Sequence, residues 1–85
     1  MAGANFELFL SDEALIQLRA LPKGLRQRIG ARLNDLETRF QGDLKKLAGA
    51  EHKYRLRVGN YRVLFRLAGN QIQVYAVKDR KEAYE

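Results

Sequence analysis

The 85-residue chain predicts an α+β fold, a single sheet packed on a pair of helices, and three observations predict it. Apolar residues alternate with polar ones before Ser11, recur every three or four positions between Leu25 and Phe40, and alternate again in three runs from Tyr54 onward. Alternation sends successive side chains to opposite faces of a strand, whereas the longer period draws one stripe down a helix. The order strand, two-helix hairpin, then three antiparallel strands gives one mostly antiparallel sheet covered on one face.

Each element follows from its own residues. In the run from Asn5 to Leu10, Phe6, Leu8 and Leu10 alternate against Glu7 and Phe9, which predicts a first strand. Ser11 ends it and suits a helix N-cap, Asp12 and Glu13 follow where the helix dipole favours negative charge, and Leu10 and Leu15 are placed for a hydrophobic staple. That helix is expected to run to about Leu21, where Pro22 and Gly24 break it. Leu25, Ile29, Leu33, Leu36 and Phe40 then form the stripe of a second helix, with Arg26, Arg28, Arg32 and Arg39 on its solvated side. Gly30 costs this helix roughly 1 kcal/mol relative to alanine and is expected to mark close packing against the first. Gly42 suits the C-terminal cap. Gly42 to Gly49, GDLKKLAG, reads as a linker anchored by Leu44 and Leu47, with Lys45 and Lys46 exposed, and Gly59-Asn60 and Gly69-Asn70 read as tight hairpin turns.

The three last strands have two different faces. Tyr54, Leu56 and Val58, then Tyr61, Val63, Phe65 and Leu67, then Ile72, Val74 and Ala76 share one set of alternate positions and are the expected core face. Arg55 and Arg57, then Arg62, Leu64 and Arg66, then Gln73, Tyr75 and Val77 take the other set, which the helices leave open. The open face is therefore basic, with Tyr75 a candidate for stacking on a base.

Composition sets the bounds. The length suits a single domain, residues 1–85, and 46% hydrophobic with 31% charged residues is the balance of a folding chain. Lys plus Arg number 16 against 10 for Asp plus Glu, a net charge of +6 that draws polyanions. Without cysteine there is neither a disulfide framework nor a thiolate site, and the N-terminal segment has neither the charge nor the apolar length of a signal or a membrane span. A cytoplasmic protein is the expectation.

The usual catalytic sets are missing. One histidine excludes a histidine-rich metal site, the only serine is already placed as a cap, and no glycine-rich phosphate loop occurs. The acids are scattered, so no metal and no other cofactor is expected. Arginines with tyrosine suit cleavage of RNA by its own 2′-OH, which needs the hydroxyl activated, charge on phosphorus stabilised and the 5′ oxygen protonated. A guanidinium does the second task well through bidentate hydrogen bonds to phosphate. It is a poor proton exchanger, so base and acid must come from elsewhere.

The segments YRLRVGNYRVLFRL and VYAVKDRKEAYE, preceded by GDLKKLAG, resemble the RelE/ParE superfamily of bacterial toxins from toxin-antitoxin modules, and the likeness covers the whole chain in order of elements. It implies a microbial RNase-like fold and, on the RelE branch, ribosome-dependent mRNA cleavage without a metal. Carried over by position, Arg62 matches the arginine that stabilises the scissile phosphate, Arg80 a second arginine at the phosphate or leaving group, and Tyr84 the tyrosine assigned to general base or stacking work. Arg55 and Arg57 stand where the RelE branch has lysines, so proton transfer falls to Tyr84 or to Lys78 or Lys81, and Arg55, Arg57, Lys78 and Lys81 are the expected RNA-binding set. The resemblance also implies a cognate antitoxin as partner, besides ribosome and mRNA, with operator DNA reached only through the antitoxin complex and no membrane. Two other outcomes stay open at this point, a ParE-like gyrase inhibitor without catalysis and an attenuated member that only binds its antitoxin.

Overall fold

A computed structural model describes residues 6–49 and 51–79. Its elements are β1 (Glu7–Leu10), α1 (Asp12–Arg19), α2 (Lys23–Arg39), β2 (Asp43–Lys46), β3 (Lys53–Val58), β4 (Tyr61–Ala68) and β5 (Gln71–Asp79). The five strands form one sheet in the order β1-β5-β4-β3-β2. β2 to β5 pair antiparallel in succession, and β1 lies parallel to β5 with Leu8 opposite Ile72. A parallel pair cannot be joined by a tight turn, so the helices and the rest of the sheet intervene between its members.

Local chemistry explains most boundaries. The Ser11 hydroxyl accepts from the backbone N–H of Ala14 at 3.0 Å, which caps α1 as expected. α1 ends at Arg19, before Leu21, and Pro22 serves as the N-cap of α2 with φ −57°. Gly24 thus lies inside the first turn of α2 and does not break it. Gly59 and Gly69 take φ of +60° and +61° at the first central position of two-residue turns. Glycine first is what a type II′ hairpin requires, so Gly-Asn is the fitting order here.

Four expectations need correction. Phe40, with φ 50° and ψ 50°, is the left-handed C-cap of α2, and its N–H donates to the Leu36 carbonyl at 2.9 Å. A non-glycine residue there is uncommon. The Phe40 ring offsets the strain by packing against Phe6, Tyr54 and Phe65 at centroid distances of 5.0, 5.9 and 6.1 Å. Gly42 answers a different need, because a Cβ there would lie 2.7 Å from Leu56 Cδ1. Gly30 faces open space, so close packing is not what it marks.

The third correction is that the expected linker contains a strand. Asp43 to Lys46 pair with Arg57 to Tyr54, so β2 forms an edge of the sheet, short and lysine-bearing as exposed edges commonly are. Leu44 packs on the core while Asp43 points to the open face, the period of two that the lysines hid.

The fourth concerns β5. Leu64 pairs with Ala76 and Phe65 with Val74, leaving Tyr75 as the extra residue of a bulge. The bulge reverses the alternation beyond it. Val77, expected on the open face, joins the core opposite Val63, while Ala76, expected in the core, sits opposite Leu64 and outside the core cluster. Lys78 is thereby turned to the side of Arg62, its partner in register.

The core lies between the helices and one face of the sheet. Ala14 of α1 and Ile29, Leu33 and Leu36 of α2 cover Leu56, Val58, Val63, Phe65, Ile72, Val74 and Val77. Among the described residues, no helix is long and apolar enough to cross a membrane.

Candidate nucleic-acid interface

The strand register sorts the open face into rows. Asp43, Arg57, Arg62 and Lys78 stand abreast on β2, β3, β4 and β5. Next along the strands come Lys45, Arg55, Leu64 and Ala76, and then Lys53, Arg66, Gln73 and Phe9 on β3, β4, β5 and β1. Neighbouring strands are spaced by about 4.8 Å, so Arg57, Arg62 and Lys78 form a file of three cations. Like charges directly opposite one another oppose folding, each by something under about 1 kcal/mol. An arrangement that costs stability in the free protein is favourable once a polyanion lies across it.

Among the described residues, acid is supplied at one end only of that first row. Asp43 accepts a hydrogen bond from Arg57 Nε at 2.8 Å and lies 3.7 Å from Arg55 Nη2. Arg57 stays half exposed with its guanidinium steered by this carboxylate, and Arg55 is more enclosed, its side chain 17% exposed. Arg62 is two strands from Asp43, and its Nη1 is buried without a hydrogen-bond partner among the described residues, as is Arg55 Nε. Buried guanidinium nitrogens left unpaired are costly, because they have lost water without gaining an acceptor. A phosphate oxygen would complete them. Leu64 and Ala76 are buried and outside the core cluster, an apolar pair beside the arginines.

Farther along the same face, β1 and β5 border an open groove of about 560 Å³ lined by Phe9, Lys53, Arg66, Gln73 and Tyr75, among others. The Lys53 ammonium lies 5.4 Å from the centroid of the Tyr75 ring. Cations with aromatic rings on one sheet face are the equipment of single-stranded nucleic-acid binders. Among the described residues, no group of three or more His, Asp or Glu side chains is arranged to hold a metal ion.

The structure brings together four residues singled out in the sequence, Arg55, Arg57, Arg62 and Lys78. Arg80, Lys81 and Tyr84 lie outside the described residues. Three contributors escaped sequence reasoning. Asp43 was hidden in an apparent linker, Lys53 precedes the arginine run, and Phe9 looked like one more apolar residue of a short strand. A signal for Phe9 existed: it breaks the alternation of its strand.

Comparison with known proteins bears on the family and the fold. The family model described as the ParE toxin of type II toxin-antitoxin systems, parDE, matches residues 8–84. Toxin RelE3 of Methanocaldococcus jannaschii is 35% identical in a match covering 80% of this chain and 83% of that one. The RelB-RelE antitoxin-toxin complex from Methanococcus jannaschii contains a chain of the same shape, with TM-score 0.77, 28% identity and coverage of 89% of this chain and 94% of that one. The archaeal RelE-RelB complex of Pyrococcus horikoshii gives TM-score 0.76, 26% identity and coverage of 94% and 100%. A mutant E. coli RelE in the free state reaches TM-score 0.80 at 18% identity, covering 94% and 88%, a likeness of fold alone.

Proposed function

Because the chain belongs to the RelE/ParE superfamily of type II toxin-antitoxin toxins, on its RelE branch, we propose that it inhibits translation as a ribosome-dependent mRNA endonuclease. The observation that carries this reading is the file Arg57, Arg62, Lys78, with a buried Arg62 nitrogen that has no acceptor inside the described protein. In the proposed reaction the 2′-oxygen of the RNA attacks the adjacent phosphorus, a 2′,3′-cyclic phosphate forms, and the 5′-oxygen leaves and takes up a proton. No water and no metal enters the balance.

Arg62 bridges the non-bridging oxygens, whose charge grows in the transition state, and Arg57 and Lys78 on either side hold the strand in register. Fixed donors aimed at such charge commonly account for about a hundredfold to a thousandfold in rate each. Arg55 and Lys81 extend the phosphate contacts. Arg80 and Tyr84, by their positions in the family pattern, act at the leaving group and the 2′-hydroxyl.

The chain is further proposed to work in the cytoplasm under the control of a cognate antitoxin, as the RelE chains of the two archaeal complexes are paired with RelB. An acidic antitoxin segment laid across the cationic rows would shield the same groups that bind RNA. Operator DNA would be met only through that complex. A ParE-like gyrase inhibitor is the competing reading, favoured by the description of the matched family model. One pair of assays separates them. Added to a cell-free translation system, the chain is expected to yield mRNA fragments ending in 2′,3′-cyclic phosphate, with gyrase supercoiling unaffected. Inhibited supercoiling without mRNA breaks would overturn the assignment.

A further inference from the structure

We propose that the groove on the open face where β1 and β5 adjoin Arg66 and Lys53 is a second nucleic-acid subsite, which takes the base of an unpaired RNA nucleotide a short way along the strand from the phosphate held by Arg62. This rests on the reading of the open face as an RNA-binding surface and adds to it a place where base identity is sensed.

Four observations support it. Position comes first, because Arg62, Leu64 and Arg66 lie on the same face of β4, so the groove is continuous with the cationic rows. Arg66 is about 13 Å from Arg62 at the usual strand rise, a distance an extended nucleic-acid chain spans in roughly two nucleotides. Second, Phe9 is 47% exposed at the groove although it sits in a strand whose other apolar residues pack inward. An exposed ring costs the free protein the benefit of burying it, and it offers a planar surface for stacking.

Third, the lining carries charge of one sign. Lys53 and Arg66 face the groove, and no carboxylate is among its described lining residues, which favours a polyanion over an apolar ligand. Fourth, the groove has amides that can read a base edge. Gln71 and Gln73 both line it, and Gln73 Nε2 donates to Gln71 Oε1 at 3.1 Å in a partly buried pair, which leaves the Gln73 side-chain carbonyl and the Gln71 amide nitrogen outside that bond. Stacking fixes the plane of a base, and the amides then discriminate its edge.

The test uses the full chain and a five-nucleotide 2′-O-methyl RNA, which cannot cleave itself, with an abasic unit placed at each position in turn. Binding by the unaltered protein is expected to fall about tenfold for one abasic position, the order of a single base-on-aromatic stack. Phe9→Ala should lower the affinity for the intact oligonucleotide by a similar factor and remove the penalty at that position. Gln73→Ala should leave the abasic penalty in place while flattening the preference among the four bases there. Equal penalties in the Phe9→Ala and unaltered proteins would overturn the subsite. So would a loss of antitoxin binding in the variants with RNA binding unchanged, since the groove would then belong to a protein partner. The binding measurement does not depend on cleavage, so absence of mRNA breaks in the translation assay refutes the endonuclease reading alone.

Discussion

The two faces of this sheet are made by the same strands and obey opposite rules. Toward the helices, Leu56, Val63, Phe65, Ile72 and Val74 are fully or almost fully buried and touch other apolar groups. Toward the open side, among the described residues, Arg57, Arg62 and Lys78 stand abreast with a single carboxylate at the end of the row and a buried guanidinium nitrogen unpaired. One face is satisfied in the free protein. The other keeps, among the described residues, a file of cations and a guanidinium nitrogen without an acceptor, and it depends on the first to be held in place, since residues one apart on a strand cannot move independently.

Changes that keep to one face should therefore separate stability from activity. The largest stability effect is expected from Phe65→Ala, which empties a fully buried site touched by the rings of Phe40 and Tyr54. It should cost about 3–5 kcal/mol in denaturant unfolding, and activity should fall only as the folded fraction falls. Gly42→Ala is expected to cost about 1–2 kcal/mol, because the new methyl would lie 2.7 Å from Cδ1 of the fully buried Leu56 and the backbone there has φ +150°. Ser11→Ala removes the α1 cap and should cost about 1 kcal/mol in denaturant unfolding.

Asp43→Asn sharpens the comparison because its effects should differ in sign. The carboxylate steers Arg57 and offsets its charge, in an exposed pair that contributes less than about 1 kcal/mol to stability. Its loss should lower the unfolding free energy slightly and raise the affinity for RNA, with a steeper salt dependence. A variant that binds RNA more weakly would show instead that orienting Arg57 matters more than freeing it.

Much of this was legible in the sequence, and the failures are instructive. Period-two alternation correctly placed Leu56, Val63, Phe65, Ile72 and Val74 in the core and Arg55, Arg57 and Arg62 outside it, because in an uninterrupted strand parity decides the face. Parity fails at a bulge. One extra residue at Tyr75 exchanges the roles of Ala76 and Val77 and turns Lys78 toward Arg62, and nothing local in VYAVKD announces it. β2 was missed because paired lysines between glycines look like a loop, while its strand character comes from pairing with β3. The same applies to Phe40, where a ring packed on three others overrides the preference for glycine at a helix end.

The most direct test of the division between the faces is Arg62→Ala, followed by thermal unfolding and by mapping of mRNA 5′ ends in a cell-free translation system. The midpoint of unfolding is expected to stay the same or rise slightly, since a buried guanidinium nitrogen with no acceptor among the described residues is removed, while mRNA cleavage falls by about a hundredfold or more. Cleavage at the unaltered rate, or cleavage lost only in step with the folded fraction, would contradict the account.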